Sequence, residues 1–312
     1  DGCLCLVGSE MCIRDRTEDL VKMTTAQIAG LTTAQVQALT TDQVASLTTA
    51  QVAGLTTAEA KALTTDQVQA LTTDQISKLS AAAVTGMTTD QVAAIETQDL
   101  VKMTTAQIAG LTTAQVQALT TDQVASLTTA QVAGLTTAEA KALTTDQVQA
   151  LTTDQISKLS AAAVTGMTTD QVAAIETQDL VKMTTAQIAG LTTAQVQALT
   201  TDQVASLTTA QVAGLTTAEA RALTTDQVVA LTTDQIAKLS AAAVTALTTD
   251  QVAAIETEDL AKMTTAQIAG LTTAEARALT TDQVQALTTD QISKLSAAAV
   301  TGMTTDQVAA IE

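Results

Sequence analysis

The groups in this chain that could do chemistry are few in kind: carboxylates, hydroxyls, the cations of 14 Lys and Arg residues, and three cysteines. Asp66, Asp74 and Asp90 each follow a Thr-Thr pair. Stacked in register they could attract Ca²⁺ weakly. One carboxylate per repeat would leave most of the coordination to water, and no D-x-D-x-D-G loop accompanies them. Carboxylate pairs could also exchange protons, yet each Asp and Glu has a simpler place in a first helical turn or on a solvated face. Ser77 and Lys78 are adjacent, too close for the S-x-x-K arrangement. A helix end with Lys beside the negative dipole terminus accounts for that pair.

The chain of 312 residues has no His, Trp, Tyr, Phe or Pro. A Ser or Thr nucleophile would therefore lack the usual imidazole base. Cys3, Cys5 and Cys12 match no usual zinc spacing, and no His exists to complete a set. The glycines are isolated, so no phosphate-cradling loop forms. These absences assign no catalytic, cofactor-binding or metal-ligating residue, and the chain reads as a non-enzyme. The net charge of −18 disfavours binding to a phosphate backbone. No apolar run approaches the ~18 residues of a transmembrane helix, so no membrane insertion is expected within this segment.

Residues 1–16, DGCLCLVGSEMCIRDR, share nothing with the rest of the chain. Leu6 to Arg16 match the translation of a transposon-based sequencing adapter, so this leader reads as a non-native assembly artefact. A signal peptide would need a longer apolar run, and acidic Asp1 leads this one. All three cysteines fall in the leader. The chain stops at Ile311-Glu312, partway through a phrase. The expectation is a single repeat region over residues 17–312, part of a longer protein.

That region is built from one phrase of eight residues, L-T-T-[A/D]-Q-[V/I]-x-[A/G/S/K], repeated 36 times from Met23 to Ala310. A period of 80 lies above it: residues 23–102 and 103–182 are identical, and the last block, from Met263, lacks three octads. Self-similarity at a fixed period marks a solenoid or array. With no aromatic side chains, only burial between neighbouring repeats is plausible. The strict Leu and Val positions and a positive mean hydropathy argue against disorder.

Leu63–Ala70 shows what an octad is made for. Thr64 and Gln67, three apart, form a capping box, and Leu63 and Val68 form a hydrophobic staple. Asp66 falls in the first turn, where negative charge suits the helix dipole. The same logic holds with Glu59 in place of Gln, and weakens where Glu96 occupies the cap position. A helix starting at Thr65 has about six residues before Thr72 caps the next, and so short a helix must stack to persist. Val68, Leu71 and Leu63 share the buried face. Position eight is small, usually Ala, Gly or Ser, and Gly30, Gly54 and Gly86 could relax the corner between helices. One continuous helix fails, because the Leu stripe would drift by about 80° per octad. The reading is an all-α solenoid of very short stacked helices, one per octad; the alternative is a β-solenoid, which would put Leu and Val on opposite faces. The number of octads per superhelical turn is left open.

Leu223–Ala230 looks like the opening helix of TAL-effector repeats, L-T-P-x-Q-V-V-A. The base-reading loop is absent and the charge has the wrong sign, so the likeness reads as shared capping chemistry. Residues 17–312 resemble the L-T-T-x-Q-[V/I] segments of large bacterial surface proteins of the adhesin and haem-utilisation class. The resemblance implies secretion or cell-surface display and a spacer, stalk or adhesive role, with protein or surface partners. It carries over no site residues, and it implies no haem site here, since no His or Tyr is present and none of the Met residues of the repeat region has a paired axial ligand. The alternative function is a surface-binding module such as ice binding. There the second Thr of each pair, such as Thr65, would present hydroxyls and methyls at fixed spacing.

Overall fold

Every eight residues the backbone leaves one helix through two extended residues and enters another. The computed structural model describes residues 17–311; the leader with Cys3, Cys5 and Cys12 lies outside the described residues. Among those described there are 37 α-helices of four to six residues and no strand. The Thr65–Ala70 helix is representative. Thr64 is extended at φ −78°, ψ 163°, and its hydroxyl accepts the Gln67 N–H at 3.2 Å while Gln67 Oε1 accepts the Thr64 N–H at 2.8 Å. Leu71 is again extended and donates its N–H to Val68 O, closing the helix. Thr72 then caps Thr73–Lys78 in the same way. The C-cap of one helix is thus followed directly by the N-cap of the next.

The chain divides into two compact units, one ending at Ala163 and one beginning at Val164. Both are built alike. In the first, Thr65–Ala70 packs on Thr41–Ser46; in the second, Thr225–Ala230 packs on Thr201–Ser206. Each helix therefore stacks on the helix three octads away. Leu63, Val68 and Leu71 are buried together, as are Leu223, Val228 and Leu231. A strand would have separated Leu63 from Val68, five positions on, to opposite faces. A helix after an extended corner turns both inward, which is why the helical solenoid prevails over the β form.

The small residues at position eight act through space rather than conformation. Gly54 closes its helix at φ −83°, ψ −8°, an ordinary right-handed conformation, so the corners do not use glycine's freedom. At Gly86 a Cβ would run into Thr57 Cγ2 and come within 3.1 Å of Thr57 O. Glycine lets the Ala81–Gly86 helix settle onto the Thr57–Ala62 helix.

Candidate functional site

The fifth residue of the octad is where chemistry concentrates. Gln67 is 2% exposed, although it is a polar side chain in the first turn of its helix. Its Oε1 serves the cap. Its Nε2 donates to Val36 O at 2.9 Å and Leu39 O at 2.7 Å, 31 and 28 residues earlier. Gln227 does the same in the second unit, to Val196 O at 2.8 Å and Leu199 O at 2.6 Å. These acceptors lie in the last turn and at the C-cap of a helix, where carbonyls have spare accepting capacity; Val36 O also accepts the Leu39 N–H at 3.2 Å. One amide thus starts its own helix and finishes another, one coil earlier. With helices stacking three octads apart and amides reaching back 28–31 residues, one coil takes more than three octads and fewer than four.

Sequence reasoning found only the capping half of this residue. A signal was present: at a helix N-terminus, Glu caps as well as Gln and suits the dipole better. A strong preference for Gln says that its NH₂ has work to do.

Carboxylates interrupt the row at intervals. In the first unit these are Glu59, Asp99 and Glu139; in the second, Asp179, Glu219, Asp259 and Glu275, all 2–3% exposed. Glu59, Glu139 and Glu219 keep the capping box. Their Oε1 atoms are buried without a hydrogen-bond partner. Burial pushes the Glu139 carboxyl above its ordinary value, opposed by the Thr136 amide and hydroxyl. Asp99, one carbon shorter, accepts the Thr73 hydroxyl at 2.6 Å, 26 residues away. Burial raises its pKa, the Thr73 hydrogen bond opposes, and the Glu96 charge adds to the rise.

Glu96 makes no side-chain cap, as its position in the octad predicts; it accepts instead from Gln98 Nε2 at 2.6 Å. Where it breaks the pattern an open groove of about 510 Å³ forms, lined by Ile95, Glu96, Thr97 and Gln98 with Thr120 and Asp122. Equivalent grooves lie at Glu176 and Asp202 and at Glu256 and Asp282.

The residues weighed from sequence are not brought together. Asp66, Asp74 and Asp90 are exposed. No group of three His, Cys, Asp or Glu that could hold a metal occurs among the described residues. Ser77 Oγ donates to Asp74 O at 2.7 Å, a helix-internal bond, and Lys78 lies exposed in the last turn. Thr65 is exposed, but other second threonines are engaged between coils, Thr73 with Asp99 and Thr57 against Gly86. No helix among the described residues is long and apolar enough to cross a membrane.

No curated protein matches the chain. The ALTTAQ repeat matches it seven times, over residues 16–49, 47–81, 92–129, 125–153, 172–209, 207–241 and 252–289. Those stretches cover more than half of the sequence and contain the capped octads described above, so the chain belongs to the ALTTAQ repeat family.

Proposed function

We propose that this segment is a non-catalytic structural and interaction module, a rod or stalk portion of a bacterial secreted or cell-surface adhesin-like protein. The glutamine row carries the reading. Within each unit, hydrogen bonds from Gln67, Gln75, Gln227 and their equivalents tie a coil to the coil before it from the inside. An array joined by such nearest-neighbour bonds can lengthen by whole octads without redesign. The outer face then varies freely, as the exposed position-four residues do between Asp66 and Ala58. Its acidity keeps such a surface soluble and discourages association with nucleic acid.

The test is display. An antibody to the octad should label intact producing cells, and protease added to intact cells should remove the epitope. Labelling that appears only after permeabilisation would overturn the surface role.

A further inference from the structure

Glu139 puts an ionisable acid where the row elsewhere carries an amide. Its Oε2 accepts the Thr136 N–H at 2.7 Å, and its Oε1 is buried without a hydrogen-bond partner. The register fixes what lies opposite. The 31- and 28-residue steps that Gln67 takes to Val36 and Leu39 lead from Glu139 to Ile108 and Leu111. Backbone carbonyls only accept, and an ionised carboxylate also only accepts. A negative carboxylate oxygen then faces the negative ends of carbonyl dipoles out of water, an expensive arrangement. The Thr113–Ala118 helix packed against Glu139 carries no ionisable side chain. Lys141 on its own helix and Asp146 on the next are both exposed. In the same place, Gln67 Nε2 lies 2.9 and 2.7 Å from its two carbonyls. That spacing suits a shared hydrogen, not an ion with its coordination shell.

We propose that Glu139 is a proton-operated joint between coils. With a proton on Oε1 it donates to the Ile108 or Leu111 carbonyl and closes the row as glutamine does. Without the proton the contact relies on apolar packing alone, and the joint loosens. Glu59 and Glu219 hold the same octad position with the same unpartnered oxygen, so this geometry recurs every 80 residues.

Burial raises the Glu139 carboxyl above its ordinary 4.5. The folded chain therefore keeps a proton that the unfolded chain releases. The contribution is fully present below about 4.5, falls as pH rises, and is gone above the folded-state value.

The experiment compares the full chain with its Glu139→Gln and Glu139→Leu variants in thermal melts from pH 4 to pH 8. Glutamine is the consensus residue, so that variant should fold. Its Tm should equal the parent's at pH 4 and exceed it progressively towards pH 8, by about 1–3 °C. The gap between the Gln and Leu variants should not change with pH. A parent-to-Gln gap that is constant with pH, absent or reversed would overturn the joint.

Discussion

The Thr65–Ala70 and Thr137–Ala142 helices start alike. Thr64 and Thr136 accept from the amides of Gln67 and Glu139 at 3.2 and 3.3 Å, and the two side chains accept back at 2.8 and 2.7 Å. They differ in the atom left over. In Gln67 it is an NH₂ that finds two carbonyls one coil earlier; in Glu139 it is a buried oxygen that finds none. The neighbouring residues follow suit. Val68 becomes Ala140, and Ala142 joins the core. A helix start and a coil-to-coil bond are therefore separable duties of one side chain. The octad can keep the first while surrendering the second. Local structure survives the exchange, and the strength of the lattice changes.

The largest effect should come from removing both duties at Gln67. Gln67→Leu takes away the return bond of the capping box and leaves Val36 O and Leu39 O without their side-chain donor. Losing these should cost about 1–3 kcal/mol, the penalty at Val36 O being partial because it keeps the Leu39 N–H at 3.2 Å. Glu139→Leu at neutral pH should cost much less, about 0–1 kcal/mol, because no donor is there to lose. Urea melts of both variants check this, and equal costs would mean that the glutamine NH₂ does not hold the coils.

A middle-sized effect should be shared. Thr64→Ala and Thr136→Ala each remove a cap hydroxyl from helices that begin in the same way. Both should lose about 0.5–2 kcal/mol, and by similar amounts. Matched thermal melts would show it. A Thr136 variant that loses far more would mean that the carboxylate depends on the Thr136 hydroxyl beyond capping.

Legibility in the sequence depends on distance along the chain. The capping box closes within four residues, so Thr64, Gln67 and the helix start could be read directly, as could the failure of the cap at Glu96. The solenoid could be read too, because two inward residues five apart suit a capped helix and not a strand. The second duty of Gln67 was hidden because its partners lie 28 and 31 residues away. An octad says nothing about how many octads make a coil. Asp99 was hidden for the same reason, since its partner Thr73 is three octads off. The glycines read as corner residues in the sequence because the Thr57 beneath Gly86 lies 29 residues away along the chain.

The smallest effect sharpens the comparison from outside the buried row. Thr65 follows the cap, is exposed, and takes no part in the capping box. Thr65→Ala should change stability by less than about 0.5 kcal/mol, since surface changes away from special contacts are near neutral. Alanine's better helix propensity favours the variant slightly. Thr57 occupies the same octad position but lies beneath Gly86 and donates to Ala82 O at 3.4 Å. The Glu59 octad thus engages its second Thr, whereas the Gln67 octad leaves its own in solvent. Thr57→Ala should therefore cost more than Thr65→Ala, through lost contact with the helix above it. Paired melts of the two variants decide the point. If Thr65→Ala proved as damaging as Thr57→Ala, the outer threonines would be part of the lattice in every octad, and the difference between the two kinds of octad would reduce to one buried atom.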